Sequence, residues 1–361
     1  MLTSSFDYTL PKESIAKYPP KVRGETNLLI FDTKTLEKHI DKYFNLDKYF
    51  ESGDIVILNE TKVVPARIKA HGEKVGKVEL FVKENHHDFN KILCIFKGSL
   101  RLGDILVIDD TDIKVRIKNI LGEGNCEIEF MNSMVSSYLD LVSLLEKVGH
   151  TPIPPYMKRE DEETDKTRYQ TEFSKNVGSV AAPTASLNFT SELEKKLKDK
   201  GVDVEKMTLH CGFGTFKPIT SENIEEHNMH SEYYEIGESV MNHIKKVGDD
   251  KKKVCAVGTT VTRSLEQYSI NSKLTGEANI FLYPGVKFNI VNTLLTNFHA
   301  PRSTPLILLN AFVTYKLSVN RGTNIDDKLI EEAKRIVIGM YKYSLDNGFK
   351  FLSYGDSCLI L

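Results

Sequence analysis

Short apolar runs separated by turn residues dominate residues 53–130 of the chain. Runs of this length and regular spacing predict an antiparallel β-barrel or a small β-sandwich. The predicted strands are residues 54–58, 77–82, 92–96, 104–108, 113–117 and 127–130. A helix is predicted to follow at residues 138–148. The next stretch, from Gly149 to Tyr156, is rich in prolines, which exclude a helix interior, so we place a domain boundary there.

Beyond residue 156, predicted strands alternate with predicted helices, which is typical of an α/β domain. Strands are predicted at residues 207–210, 233–236, 254–257 and 280–283, and helices at 191–200, 238–247, 260–267 and 326–347. Ser191 and Glu194 form a capping-box pattern at the start of the first of these helices, and Gly201 lies where a helix typically ends.

Composition narrows the class of protein. The 361 residues suffice for two domains, and 40% hydrophobic residues exclude wholesale disorder. A net charge of -2 argues against a general polyanion binder. No apolar run approaches the ~20 residues of a membrane span, and the first residues do not form a secretory signal, so we predict a cytoplasmic protein. The five cysteines are scattered without a C-x-x-C spacing, which predicts reduced thiols.

Two glycine turns, each after a predicted strand, are the first candidate ligand site. They are the strings Gly212-Phe213-Gly214-Thr215-Phe216 and Gly258-Thr259-Thr260. Lys217 stands where a dinucleotide fingerprint has its third glycine, and the sequence contains no Walker loop. Because parallel strands share one carboxyl edge, both turns are expected where open α/β sheets bind ligands. Plain tight turns are an equally good interpretation.

Ionisable side chains suggest further chemistry. His299 lies in a polar string before a proline and suits either acid–base catalysis or hydrogen bonding to loop carbonyls. His227 and His230 lack the glutamate of a zinc-protease motif, so a metal site is not favoured. Arg263, near a predicted helix start, suits carboxylate binding. A surface ion pair between Arg263 and Glu266 is the alternative.

Basic side chains cluster in two places. Lys62 and Arg67 lie in the predicted barrel region, and Lys158 and Arg159 follow the proline-rich stretch. Contact with an RNA backbone and a solvated strand face are both compatible with these clusters.

Several short strings together are more specific than any single signal. They run in order along essentially the whole chain and resemble the S-adenosylmethionine:tRNA ribosyltransferase-isomerase family of the queuosine pathway. The strings are residues 59–67, 149–156, 169–171, 180–185, 208–210, 214–216, 229–233, 257–260, 263–266, 283–285, 296–299 and 353–356.

The resemblance implies a fold and a reaction. The fold is a larger α/β sandwich domain, residues 1–60 and 150–361, with a smaller antiparallel β-barrel domain, residues 61–149, inserted. The reaction transfers and isomerises the ribosyl moiety of S-adenosylmethionine onto 7-aminomethyl-7-deazaguanine in the tRNA anticodon. Its products are epoxyqueuosine-tRNA, adenine and methionine. S-adenosylmethionine is consumed as a substrate, so no metal or other cofactor is expected, and a monomer is favoured.

The matched strings also supply candidate roles. A base must remove a proton next to the sulfonium, and His230, Glu232 and His299 are the candidates. Thr259, Thr260 and Arg263 suit the methionine carboxylate, while Tyr283 or Phe216 suits stacking on adenine. The remaining substrate-binding candidates are Thr184, Gly212, Gly214, Thr215 and Asn297, and the RNA-binding candidates are Lys62, Arg67, Lys158 and Arg159.

Some positions depart from the family pattern. Ser186 and Asn188 replace a usual Gly and His, and Phe213 replaces an Ala between two glycines. The other departures are Asn27, Val261, Asn292 and Arg302, in place of Arg, Ser, Asp and Glu. Two alternatives therefore stand beside the family reaction. One is a paralogue that cleaves S-adenosylmethionine or transfers its sugar to another acceptor, and the other is a non-catalytic tRNA-binding protein.

Overall fold

The structure, a computed structural model, describes residues 1–73, 75–83, 89–212, 214, 219–248 and 252–361. Its strands are β1 (Asn27–Phe31), β2 (Lys38–Lys42), β3 (Ile55–Asn59), β4 (Thr61–Val63), β5 (Arg67–Gly72), β6 (Gly76–Val82), β7 (Ile92–Lys97), β8 (Ile105–Ile108), β9 (Lys114–Gly122), β10 (Asn125–Phe130), β11 (Asn176–Ser179), β12 (Asp203–Leu209), β13 (Glu232–Glu235), β14 (Val254–Val257), β15 (Thr275–Ala278), β16 (Thr293–Asn297) and β17 (Ser357–Ile360). Its α-helices are α1 (Tyr138–Val148), α2 (Asp165–Arg168), α3 (Ser191–Asp199), α4 (Glu238–Gly248), α5 (Thr259–Asn271), α6 (Thr304–Arg321) and α7 (Asp327–Asp346).

A large mixed sheet carries the helices. Over the described residues its strand order is β15-β13-β12-β3-β14-β16-β17-β1-β2. The middle strands β12, β3, β14 and β16 run parallel to one another. Strands β3 and β14 are buried along their whole length, as expected from the apolar runs at residues 55–58 and 254–257. The parallel direction brings the carboxyl ends of these four strands to one edge of the sheet.

Helices cover both faces of this sheet. Leu29 and Ile57 point into a core shared with α4, α5, α6 and α7, whereas Leu28 and Val56 point into a core shared with α3. Successive residues of a strand face opposite sides, so each apolar strand contributes to both cores. The sheet is therefore the central layer of an α/β sandwich.

The second unit is a closed antiparallel barrel with strand order β10-β7-β6-β5-β8-β9. Its strands alternate buried and solvent-facing positions, most clearly in β6 and β10. Every second side chain therefore fills the barrel interior, and α1 packs on the same core through Leu141 and Leu145. Ser137 caps α1 by accepting a hydrogen bond from the Asp140 amide at 3.2 Å.

The predicted fold class is confirmed, with local corrections. Residues 54–58 belong to the large sheet rather than the barrel, and β5, which was not predicted, closes the barrel. The prediction of a strand at 280–283 is wrong, because the Ile280 amide donates to Oε1 of Gln267 instead of to a neighbouring strand. Thr190, and not Ser191, caps α3. Glu194 instead pairs with Lys198 and Lys206.

Other elements match their predictions. Helices α1, α4, α5 and α7 lie within a few residues of the predicted bounds, and β14 spans the predicted residues. Gly201 follows α3 with φ +78°, the left-handed geometry expected after a helix end. In the part of the chain that the structure describes, no helix has the length and apolar character needed to cross a membrane.

Candidate functional site

A cleft of about 180 Å³ opens at the carboxyl edge of β14 and β16. The turn after β14 and the string after β16 both contribute side chains to it, as the shared edge of parallel strands predicts. We call this space the cleft. The lining residues used below are Tyr156, Thr184, Thr259, Thr260, Asn297, Phe298, His299 and Ser353.

A smaller cavity adjoins the cleft, and we call it the side pocket. His230, Glu232, Arg263 and Phe281 line it, and it shares Thr259 and Thr260 with the cleft. The two cavities therefore meet at the first turn of α5. Two of the three predicted acid–base residues lie in the side pocket, and the third, His299, lies in the cleft.

The first turn of α5 presents backbone amides to this junction. Gly258 precedes the helix with φ +99°, a conformation that favours glycine, and it has no side chain to cap the helix. The first amides of a helix lack intrahelical partners and carry partial positive charge. Helix α6 also begins at the cleft, and the Ser303 hydroxyl before it donates to the Ala300 carbonyl rather than capping the helix. Both helix ends make this part of the cleft favourable for an anion.

Arg263 forms the floor of the side pocket. It is 6% exposed, and its guanidinium forms an ion pair with Glu232, which is 3% exposed. It also donates to the carbonyls of Ile280, His230 and Ala278, at 3.2, 3.0 and 2.6 Å. The side chain is thus occupied within the protein, and the structure offers the α5 amides rather than this guanidinium to a substrate carboxylate.

The alternative of a surface pair between Arg263 and Glu266 is wrong. Glu266 is buried and accepts hydrogen bonds from the amides of Asn289, Ile290 and Val291, at 2.7, 3.0 and 2.9 Å. Burial raises the pKa of Glu266, and these amides partly oppose the rise. Glu266 therefore fixes the loop at residues 289–291, whereas Arg263 lines the side pocket.

The predicted glycine turn and His230 meet directly. His230 Nε2 lies 2.8 Å from the carbonyl oxygen of Gly214, and a Cβ on Gly214 would overlap the imidazole ring. The amide of Gly212 donates to Oε1 of Glu232 at 3.0 Å. The turn is therefore fixed to the strand entry that carries His230 and Glu232.

His299 is held at the cleft by its backbone and its ring. Its amide donates to the Tyr341 hydroxyl at 3.1 Å, its carbonyl accepts from the Tyr8 hydroxyl, and its Nε2 lies 3.0 Å from the Thr296 hydroxyl. Burial lowers the pKa of His299 to about 3. The imidazole is therefore neutral at physiological pH and binds a proton only weakly.

Hydroxyl and amide groups line the rest of the cleft. Thr184 donates to Oδ1 of Asn297 at 2.8 Å, and Nδ2 of Asn297 lies 3.4 Å from the Asp356 carbonyl. Sequence analysis missed Tyr156 and Ser353, whose hydroxyl groups are hydrogen-bonded in the cleft although 197 positions separate them. Burial raises the pKa of Tyr156 to about 12, so it remains a neutral phenol. Both residues lie in matched strings, which was the available signal.

Other candidates lie elsewhere. Tyr283 packs against Phe281, with ring centroids 5.6 Å apart, and is not among the described residues that line the cleft. Thr215 and Phe216 lie outside the described residues. The rings of His227 and His230 are 6.3 Å apart and edge-to-face, and within the described ranges no group of His, Cys, Asp and Glu residues is arranged to hold a metal.

The four RNA-binding candidates divide into two pairs. Arg67 is 7% exposed and lies among the carboxylates of Glu79, Glu160 and Asp161. Arg159 forms a double hydrogen bond with buried Asp165, so neither arginine presents an unpaired charge to a ligand. Lys158 is exposed, and Lys62 is partly exposed, 3.8 Å from Glu146.

Those departures from the family pattern that the structure describes do not line the cleft or the side pocket. Ser186, Asn188 and Val261 are buried, but none is among the described residues that line the cleft or side pocket. Asn292 accepts a hydrogen bond from the Val254 amide at 2.8 Å, at the opposite end of β14. Arg302 pairs with Asp7 at the surface. Phe213 lies outside the described residues.

Comparison with known proteins gives consistent matches over the whole chain. A family model described as queuosine biosynthesis protein matches residues 3–324. A protein of Pelodictyon phaeoclathratiforme named S-adenosylmethionine:tRNA ribosyltransferase-isomerase is 43% identical over 368 residues, covering 100% of both chains. A protein of the same name from Chlorobaculum parvum is 41% identical over 367 residues, again covering 100% of both. The crystal structure of an S-adenosylmethionine tRNA ribosyltransferase from Thermotoga maritima matches with a TM-score of 0.53 and 26% identity, covering 99% of this chain and 100% of that one.

Proposed function

Because the chain belongs to the queuosine biosynthesis protein family, we propose that it is a ribosyltransferase-isomerase that acts on S-adenosylmethionine and tRNA. The observation that carries the proposal is the cleft itself. Its walls are built from the strings 180–185, 257–260 and 296–299, which lie far apart in sequence and meet at one sheet edge. Matched strings that served only to stabilise the fold would not need to line one cleft together.

The cleft and side pocket suggest how S-adenosylmethionine binds. We place its carboxylate at the first turn of α5, where uncapped amides lie beside Thr259 and Thr260. The aromatic residues of the cleft, Tyr156 and Phe298, replace Tyr283 as the candidates for contact with adenine. Arg263 then holds two residues of the side pocket in place, because it donates hydrogen bonds to the Glu232 carboxylate and to the His230 carbonyl.

The acceptor is proposed to be 7-aminomethyl-7-deazaguanine in a tRNA anticodon. Loss of a proton next to the sulfonium and departure of adenine leave an electrophile for the aminomethyl nitrogen, and methionine leaves in the same sequence. S-adenosylmethionine is consumed, and we propose that no separate cofactor takes part. The exposed Lys158 and Lys62 are the proposed backbone contacts to RNA. The cytoplasmic location and the monomeric state remain predictions from the sequence.

The altered family positions do not argue for another reaction. Asn188, the most notable of them, cannot accept a proton as histidine can, but it is buried and does not line the cleft. The three candidate bases of the cleft and side pocket are all retained. No observation favours the paralogue or the non-catalytic protein.

Adenine release tests the proposal. The protein is mixed with S-adenosylmethionine and either tRNA carrying 7-aminomethyl-7-deazaguanine or the same tRNA carrying guanine. We expect release of adenine and methionine in step with modification of the first tRNA, and none with the second. Release that ignores the tRNA would support the paralogue, and binding without release would support the non-catalytic protein. Chelation of metals with EDTA is expected to leave the rate unchanged.

A further inference from the structure

We propose that His230 is the proton-accepting residue of the reaction and that its Nδ1 is the atom that takes the proton. This inference rests on the proposed function and narrows the three candidates to one. It is carried by the hydrogen-bond geometry of the side pocket.

The contact with Gly214 fixes the tautomer of His230. A carbonyl oxygen only accepts hydrogen bonds, so the Nε2 that lies 2.8 Å from it must carry the hydrogen. In the neutral ring, Nδ1 is then the basic nitrogen. Within the part of the chain that the structure describes, no hydrogen bond involves Nδ1. The neutral ring, with its hydrogen on Nε2, thus presents Nδ1 as the atom that can take a proton.

The surrounding backbone fixes the position of this ring. Gly214 allows the imidazole to lie directly on its Cα, where any side chain would overlap it. Arg263 binds the His230 carbonyl at 3.0 Å, and the Ser231 hydroxyl donates to Glu277 at 2.7 Å. The strand entry is therefore anchored to α5 and to β15. Such support limits movement of the ring before substrate binds.

Glu232 is a poor alternative because its carboxylate is already committed. One oxygen accepts from the Gly212 amide, and the other pairs with Arg263. Taking a proton would remove the negative charge that balances a buried guanidinium. Glu232 therefore serves to hold the turn and the arginine.

His299 is a poor alternative for a different reason. Burial lowers its pKa to about 3, so its ring gains little by accepting a proton. Its Nε2 is also engaged with the Thr296 hydroxyl, and His299 lines the cleft but is not among the described residues that line the side pocket. Its neutral ring suits hydrogen bonding to substrate.

The proposed step conserves atoms and charge. A C5′–H bond of S-adenosylmethionine breaks, and its electron pair stays on C5′ beside the sulfonium. The proton forms a new N–H bond at Nδ1, so neutral imidazole becomes imidazolium while the positive sulfonium becomes a neutral ylide. Adenine departs afterwards. No external oxidant or metal enters this balance.

Deuterium exchange tests the assignment. The complete protein is incubated with S-adenosylmethionine and substrate tRNA in D2O, and incorporation at C5′ of unreacted S-adenosylmethionine is followed by mass spectrometry. His230→Gln retains an N–H donor for the Gly214 carbonyl but cannot accept a proton. We expect this variant to exchange at least ~10²-fold more slowly, the usual contribution of a positioned base, with little change in S-adenosylmethionine affinity.

Three further variants make the result decisive. His71→Gln removes an exposed barrel histidine and should exchange at the wild-type rate. His299→Gln and Glu232→Gln test the other candidates. The proposal is overturned if His230→Gln loses less than about tenfold, or if His299→Gln loses more than His230→Gln does.

Folding and function are controlled separately. If His230→Gln does not fold, as judged by circular dichroism, Gly214→Ala takes its place, because its methyl group must displace the same ring. Its exchange should fall by a similar factor, and wild-type exchange in this variant would overturn the proposal. If wild-type exchange is too slow to detect, single-turnover adenine release is compared instead. A wild-type protein that never modifies the tRNA refutes the proposed function, which is a distinct result.

Discussion

The side pocket and the junction between the barrel and the rest of the chain each contain a buried arginine. In the side pocket, the partners of Arg263 among the described residues are one carboxylate, Glu232, and three backbone carbonyls. At the barrel junction, which we define as Arg67, Gly149, His150, Glu160 and Asp161 together with Glu79, Arg67 faces three carboxylates. Both arginines were candidate ligand-binding residues, and both are occupied inside the protein.

The difference lies in access to solvent. Glu232 is buried, whereas the Glu160 side chain is 64% exposed and Glu79 is partly exposed. Burial alone would lower the pKa of Arg67, but the three surrounding acids raise it overall. The exposed acids of the junction can thus be rehydrated when a partner is lost, whereas both members of the side-pocket ion pair are buried. The buried ion pair of Arg263 and Glu232 can hold a precise geometry in the side pocket. The several acids around Arg67, some of them solvent-exposed, can hold the barrel to the rest of the chain.

The largest effect is expected for Arg263→Ala. It removes the guanidinium that pairs with the buried Glu232 carboxylate and donates to three backbone carbonyls, which should lower the free energy of unfolding by about 3–5 kcal/mol. Urea unfolding followed by circular dichroism measures the change. The paired variant Arg263→Ala with Glu232→Ala should recover part of the loss. A loss under about 1 kcal/mol for the single variant would mean that water reaches Glu232, and the contrast with the junction would fail.

A glycine in each region sharpens the comparison. A Cβ on Gly149 would overlap the backbone carbonyl of Pro65, whereas the nearest atoms to one on Gly214 belong to the His230 side chain. Gly149→Ala should therefore cost about 3 kcal/mol of stability, and Gly214→Ala about 1 kcal/mol, with most of its damage in activity. Thermal unfolding and adenine release separate the two outcomes. Equal losses of stability would show that His230 is as immobile as backbone.

Removal of Arg67 should have a smaller effect than removal of Arg263. Arg67→Ala is expected to cost about 1–3 kcal/mol, because Asp161 retains hydrogen bonds from His150 and the Thr151 amide at 3.2 and 3.0 Å. Urea midpoints test this expectation. A loss of stability as large as that of Arg263→Ala would mean that the charges left at the junction are no more accessible to solvent than those at the side pocket.

Acid should affect the cleft and the junction over different pH ranges. The pKa of His299 is lowered to about 3, so the unfolded chain takes up its proton first, near pH 6.5, and stability is lost as pH falls from there. His299→Gln should flatten the decline between pH 7 and 5 by on the order of 1 kcal/mol. Burial raises the pKa of Asp161, but interactions with His150, the Thr151 amide and Arg67 lower it by more. The pKa of Asp161 is therefore below its usual value. Its contribution, present above the unfolded pKa, is lost only below about pH 4.

Urea midpoints at pH 7, 5 and 3.5 distinguish these ranges, with Asp161→Asn as the partner variant. If His299→Gln does not change the slope above pH 5, the buried neutral imidazole is not a source of acid sensitivity.

The smallest effect concerns RNA. Lys158 is exposed and lies two residues before Glu160 of the junction. Lys158→Ala should raise the KM for tRNA a few-fold, and the salt dependence of tRNA binding should fall by about one phosphate contact. Adenine release at several salt concentrations measures both. Arg159→Ala serves as the contrast, since Arg159 is occupied by Asp165 and should affect stability more than salt dependence. An unchanged KM for Lys158→Ala would remove this lysine from the RNA surface.

The sequence alone determined the features that depend on neighbours in the chain. Strand β14 was predicted to the residue because its unbroken apolar run fits only a buried strand. The placement of the Gly212 and Gly258 turns after two parallel strands, β12 and β14, followed from strand direction, and the matched strings indicated the family. Helix α6 was not predicted, although its apolar run was evident. Thr190 was not predicted as the N-cap of α3, because the neighbouring Ser191 is an equally suitable residue type for that position.

Only the tertiary structure decided the partners of charged and polar side chains. Arg263 fits a substrate carboxylate, Glu266 or Glu232 equally well by residue type, and the choice depends on β13 lying beside α5. Tyr156 and Ser353 meet across 197 positions, and no local pattern encodes such a contact. Local patterns follow from backbone geometry and solvent exposure of adjacent residues. Burial, charge pairing and the resulting pKa values depend on which distant segments the fold brings together.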